Sequence, residues 1–239
     1  MSARKSPPAK PAEPVSPPPE EELGPLPAGR HGFTPEQVAH NQRERLIAGL
    51  ATAVAEKGYR AVTITDITKE ARVSRRVFYE NFEGKDECFL AAFEIVVGHI
   101  RELAAEAASG VQGWPNQAIE ASRAVLAFLA TEPDLARLCL VEAQAAGPVV
   151  SARFHETVHE LVPYLERGRA ERQGERDLPP STEESTLGAL VMLSSRKVAA
   201  GEAGHLLDLL PELGEFILAP YIGTEEAVRV SGDIRHAQT

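Results

Sequence analysis

Thr63–Lys85 reads TITDITKEARVSRRVFYENFEGK. Thr63 is placed to cap a short helix through the amides of Thr65 and Asp66, and that helix buries Ile64 and Ile67 and ends near Ala71. Ser74 caps a second short helix whose inner face is Phe78, with Phe82 after it. Arg75 and Arg76 follow the serine directly, and Tyr79 stands one turn further on. The stretch is therefore two short helices joined by a tight turn, with positive charge gathered where the second begins. In a chain of formal net charge −10, that concentration points to an anionic partner at this helix start.

Working outward, Thr34-Pro35-Glu36-Gln37 offers a threonine cap, a proline at the first helical position and a capping-box glutamine. Leu46, Ile47, Leu50 and Val54 follow at helical spacing, and Gly58 is the expected stop after Lys57. Downstream, Gly84 and Lys85 open a long fourth helix, where Asp86 and Glu87 suit the positive end of the macrodipole. Phe89, Leu90, Phe93, Val96, Val97 and Ile100 carry it to about residue 108. Further helices are expected over 115–130, 133–146, 148–172, 181–200 and 205–218, with Pro211 imposing a kink or a later start on the last. No segment alternates with period two, so the chain is read as all-α.

The 239 residues carry their charge unevenly. Residues 1–33 hold four basic and four acidic groups, a balance of 0; residues 34–85 hold nine and seven, +2; residues 86–239 hold twelve and twenty-four, −12. The one mildly basic segment contains the helical hairpin, and the acidic remainder would stand away from a phosphate backbone. Residues 1–33 are proline-rich with few large apolar groups and are expected to be a disordered tail. No apolar run approaches the roughly 18 residues of a membrane span, and the basic start lacks the apolar core of a secretory signal. Cys88 and Cys139 belong to no CxxC pair, which fits a reducing cytoplasm.

A helix-turn-helix reads double-stranded DNA by laying its second helix in the major groove, with the first residues of that helix nearest the bases. Those residues here are Ser74, Arg75, Arg76 and Val77. An arginine fork pairs bidentately with guanine O6 and N7, and Val77 suits a thymine methyl. Thr63, Thr65, Tyr79, Asn81 and Lys85 are expected to meet phosphate oxygens, which set register rather than sequence.

At these positions the sequence resembles the TetR family of bacterial transcription regulators. The resemblance rests on Thr63, Ile67, Ala71-Arg72-Val73-Ser74, Tyr79-Glu80-Asn81-Phe82 and Lys85, with Gly58-Tyr59 upstream. It covers about 50 residues, judged by matched caps and spacings together. Arg72 replaces the usual turn glycine, so a left-handed turn there would be strained. Arg76 stands where a small residue is common, and Asn81 where histidine is common.

The resemblance implies a DNA-binding domain over 34–84 of three helices. It also implies a long helix leading into an effector-binding and dimerisation domain over 85–224, and the remaining 225–239 are expected to be a flexible tail. It further implies a homodimeric repressor on a pseudo-palindromic operator, released by a small-molecule effector. Trp114, Phe128, Phe154, Tyr164 and Met192 are the expected pocket lining. Leu187, Leu190, Val191, Leu206, Leu209 and Leu210 are the expected dimer faces, forming a four-helix bundle with a second copy.

The alternative rests on His155-Glu156-Thr157-Val158-His159, a literal H-E-x-x-H that on a helix puts both histidines on one face. It would make the chain a metal-dependent hydrolase or a metal sensor. A metzincin-type continuation needs glycine and histidine where Val162 and Leu165 stand. The string alone is weak, so neither catalysis, a resident metal nor a cofactor is expected.

Overall fold

The computed structural model describes residues 34–172 and 177–237. The proline-rich tail expected over 1–33 lies outside the described residues. Every regular element among those residues is helical.

Helix α1 (Pro35–Lys57) opens on a complete capping box: the Thr34 hydroxyl accepts from the Gln37 amide at 3.2 Å, and the Gln37 side chain accepts from the Thr34 amide at 2.8 Å. Leu46, Leu50 and Val54 are fully buried along one face. The helix stops at Gly58, whose φ of +73° excludes most side chains.

Helix α2 (Ile64–Glu70) is capped by Thr63, but its hydroxyl accepts from the Asp66 amide alone. The Asp66 carboxylate reaches back to the Thr63 amide (2.9 Å) and hydroxyl (2.7 Å), which fixes the hydroxyl on that one donor. Ile67 is buried as expected, whereas Ile64 is half-buried and Thr68 takes the second inner place. Helix α3 (Arg75–Asn81) starts from Ser74, whose hydroxyl accepts from the Val77 amide at 3.2 Å, and it buries Phe78. The turn between α2 and α3 places Arg72 at φ +53°, the left-handed conformation that its sequence position foreshadows. Behind the turn, α1 and α2 meet backbone to backbone. A Cβ on Gly49 would lie 2.7 Å from the Ala71 nitrogen and 2.9 Å from the Ile67 oxygen.

The long α4 (Lys85–Ser109) leads out of this head, and α5 (Trp114–Thr131) returns along it. The helix expected over 133–146 has that length but is not uniform. It comprises α6 (Pro133–Arg137), a π turn (Leu138–Glu142) and α7 (Ala143–Ala145), and the Ala143 amide bonds to the Leu138 carbonyl five residues back. The single helix expected over 148–172 is broken into α8 (Pro148–His159), α9 (Val162–Glu166) and a 3₁₀ turn (Arg167–Glu171). Pro163 accounts for the break, since its ring opposes the carbonyl four residues earlier and it has no amide to donate.

Helix α10 (Thr182–Ala199) precedes a 3₁₀ segment (Ala203–Leu209) and α11 (Leu210–Ile222), where Pro211 occupies the first turn and so marks a later start. The flexible tail expected over 225–239 is corrected: Thr224–Ala237 form α12, and only 238–239 lie outside the described residues. Ala227 and Ser231 are fully buried. Gly214 of α11 lets α12 approach, because a Cβ there would sit 2.8 Å from the Ser231 hydroxyl.

Two apolar clusters fill the interior. The first joins α1–α4 to Leu138, Cys139, Ala143, Val150 and Phe154, so the head and the following domain share one continuous core. The second gathers Trp114, Ile119, Leu126, Leu187, Leu206, Leu210 and Ile217. Ile100, Phe128 and Val158 pack against both. Among the described residues no helix is long and apolar enough to cross a membrane.

Candidate nucleic-acid interface and effector cavity

The outward edge of α3 carries Arg75, Arg76 and Tyr79, all exposed. Arg75 makes no hydrogen bond or ion pair among the described residues. Arg76 pairs with Glu80 one turn on, at 2.8 Å, which raises its pKa through that hydrogen bond and the carboxylate charge. Ser74 is exposed with its hydroxyl engaged in the cap, and Val77 is half-buried, packed on the first core. Asn81 donates its side-chain amide to the Val77 carbonyl at 2.8 Å. Thr65 is exposed at the start of α2, beside the Thr63–Asp66 box.

Several cations of the head point inward and hold this edge in place. Arg45 is buried, and its guanidinium donates to the Ala71 and Arg72 carbonyls, closing the end of α2 under the turn. Burial, reinforced by the Arg72 charge, lowers its pKa. Arg43 donates to the Asn81 carbonyl at 3.1 Å and lies over the Phe82 ring at 4.3 Å, fixing the far end of α3. Lys85 donates to the carbonyls of Tyr59 and Val62, both at 2.8 Å, with its ammonium 4.2 Å from the Tyr59 ring centre. Burial lowers its pKa despite the neighbouring Asp86. Two of its three N–H donors are thus engaged within the fold, leaving one for an outside acceptor.

Arg43 and Arg45 were not foreseen by reading the sequence. Two basic residues on an apolar-striped helix read as a solvated face, and only the fold shows the carbonyls they meet.

In the second half of the chain a cavity of about 580 Å³ opens between α4, α5, α8, α10 and α11. Of the five expected lining residues, Trp114, Phe154 and Tyr164 line it. Phe128 instead stacks edge-on to His99 at 4.9 Å, and Met192, 71 % exposed, faces away. The walls are mainly aliphatic and aromatic, with Ser109, Gln117, Ser122, Thr157 and Ser194 as uncharged polar residues. The charged residues lining the cavity are Arg101, paired with Glu160, and Arg167, which donates to Gln117 at 2.8 Å.

The expected dimer-face leucines serve the protomer itself. Leu187, Leu206 and Leu210 are buried in the second core, the partly buried Leu209 packs against it, and Leu190 and Val191 turn to the cavity. The large apolar side chains exposed on α10 and α11 are Met192 and Phe216.

His155 and His159 both lie on the exposed side of α8, but they face separate partners. His155 Nδ1 is 2.6 Å from the Ser151 carbonyl, and His159 Nδ1 is 3.3 Å from Glu184. Glu183, next to Glu184, is buried against Arg169 and Tyr221. Among the described residues no group of three or more His, Cys, Asp or Glu is arranged to hold a metal ion.

The chain thus joins a three-helix head, whose third helix presents exposed arginines, to a helical domain around an apolar cavity. Residues 46–92 match the family model described as bacterial regulatory proteins, tetR family, so the head is a TetR-family DNA-binding domain. Structural likeness extends beyond it. The fatty acid degradation regulator FadR from Bacillus halodurans superposes with a TM-score of 0.66 at 16% identity, over 74% of this chain and 94% of that one. FadR from Bacillus subtilis, solved in complex with stearoyl-CoA, gives 0.62 at 17% identity, over 74% and 97%. A gamma-butyrolactone receptor (ArpA-like protein) gives 0.59 at 18% identity, over 83% and 98%. No curated protein sequence matches the chain. The chain has the fold of a TetR-family transcription regulator, and the family and these neighbours are regulators rather than enzymes.

Proposed function

We propose that this chain is a cytoplasmic, homodimeric transcriptional repressor that binds a pseudo-palindromic operator and releases it when a small-molecule effector occupies the cavity. The observation that carries the reading is the outward edge of α3. There Arg75 and Arg76 stand exposed while Arg43, Arg45 and Lys85 are engaged in the fold behind them. Ser74, Arg75, Arg76 and Val77 meet base edges, and Thr63, Thr65, Tyr79, Asn81 and the remaining Lys85 donor meet phosphates. The DNA-binding unit spans 34–84, and 85–224 bind the effector and dimerise. Met192 and Phe216 are the outward apolar anchors for the second copy.

An apolar cavity whose charged lining residues are two arginines suits an amphiphile with an acyl body and an anionic head. The likeness to a regulator solved with stearoyl-CoA supports the same class. Selection of bound DNA from a random pool should return an inverted repeat with half-sites about one helical turn apart. Stearoyl-CoA should then displace that DNA while an uncharged butyrolactone does so less well. A pool with no enriched inverted repeat would overturn the regulator reading.

A further inference from the structure

The π turn Leu138–Glu142 touches both functional regions at once. Cys139 and Leu140 lie on the cavity wall. Two residues later the Glu142 carboxylate, buried between the domains, accepts the Tyr59 amide at 2.8 Å and an Arg137 fork at 3.0–3.1 Å. Tyr59 follows Gly58, the residue that ends α1, and both carboxylate oxygens would stand only 3.5 Å from a Cβ on Gly58. The Tyr59 carbonyl is in turn held by Lys85. The DNA-reading head is therefore gripped, at the loop between α1 and α2, by a side chain from the cavity wall's own helix. Widened turns of this kind depart from the regular helical register, and here the Leu140 carbonyl also accepts from Ser195 of α10 at 2.8 Å and from the Gln144 side chain.

We propose that the π turn couples the cavity to the DNA-reading head, with Cys139 and Leu140 sensing what occupies the cavity and Glu142 acting as the positioning residue that holds Tyr59. This inference rests on the regulator reading above. A change of register in the turn rotates Glu142 by about 100° about the helix axis and takes its carboxylate off the amide. Occupancy of the cavity is thereby converted into release of the α1–α2 loop, along a route separate from the shared helix α4.

The experiment is a double-mutant cycle in the full-length protein, reading hydrogen exchange at the Tyr59 amide by NMR and affinity for the selected operator. Leu140→Phe crowds the cavity side of the turn, and Cys139→Leu does the same if the first variant melts too low to study. Either should raise Tyr59 exchange about tenfold and weaken operator binding by a similar factor, the scale of losing a charge-assisted hydrogen bond. In a Glu142→Ala background the same substitution should add less than about twofold, because the link is already cut. Glu142→Gln keeps an acceptor for the amide and should preserve the response. Equal effects of the cavity-side substitution in both backgrounds, or unchanged Tyr59 exchange in Glu142→Ala, would overturn the proposal. The exchange measurement needs neither operator nor effector, so failure of the regulator reading would show separately, as an empty DNA selection.

Discussion

At the residue scale, Arg76 and Arg75 share a helix start but not a state. Arg75 makes no hydrogen bond or ion pair among the described residues, whereas Arg76 is held by Glu80. Replacing either arginine by alanine is expected to weaken specific DNA binding by about 1–3 kcal/mol in a mobility-shift titration. Glu80→Ala should act in the opposite sense and tighten binding, since it frees the Arg76 fork and removes a negative charge beside the phosphates. An unchanged affinity in Glu80→Ala would show that Arg76 gives up its intrahelical partner at no cost. Arg72 makes a second point. A left-handed backbone costs a side-chain-bearing residue on the order of 1–2 kcal/mol, partly offset by the extra freedom that glycine brings to the unfolded chain. Arg72→Gly is thus expected to raise stability by about 0.5–1 kcal/mol in denaturant unfolding. Arg45 still closes the turn, because it bonds the backbone carbonyls and not the Arg72 side chain.

Legibility in the sequence divides along physical lines at the scale of elements. Caps are local, so Thr34, Thr63 and Ser74 were readable: each depends on residues three positions away. The π turn depends on partners such as Ser195 that no local window contains. The break between α8 and α9 had a visible signal in Pro163, which the 148–172 reading passed over. Helix α12 was missed because its fully buried positions are Ala227 and Ser231, too small and polar to register as an apolar stripe, with Val230 only partly buried beside them. Its seat depends on a glycine in another helix. Gly214→Leu should therefore dislodge α12, which limited proteolysis would report as new cleavage within 224–237 while the head stays protected. The cavity was half legible for a similar reason. Aromatic identity marked Trp114, Phe154 and Tyr164, but helical phase alone could not say that Met192 faces outward.

At the scale of the whole molecule, Glu183 ties three elements together from the start of α10. Its carboxylate accepts from Arg169 at 2.7 and 2.9 Å and from the Tyr221 hydroxyl of α11 at 3.0 Å. Burial by itself would raise its pKa, but the Arg169 fork, its own backbone amide and Tyr221 together outweigh burial and lower it. A lowered folded pKa means that the ionised form stabilises the fold above the unfolded value and that this stability is lost as pH falls through the folded value. Glu183→Gln should accordingly melt below wild type at neutral pH, and the gap should close as pH drops below about 4. A gap that persists in acid would mean that packing, not charge, is what the substitution removes.

The core that runs without a seam from α1 through Val150 and Phe154 limits how freely this regulator can be recombined. A chimera that grafts the head onto a foreign effector domain at residue 84 would strip the head core of Phe89, Phe93 and Leu138 and leave the Tyr59 amide without its acceptor. Such a fusion should aggregate or melt in two separate steps, where the native chain is expected to unfold in one. A junction placed after Phe154 would carry the reading head together with the helices that keep it folded. For this protein the portable unit is larger than the part that touches DNA.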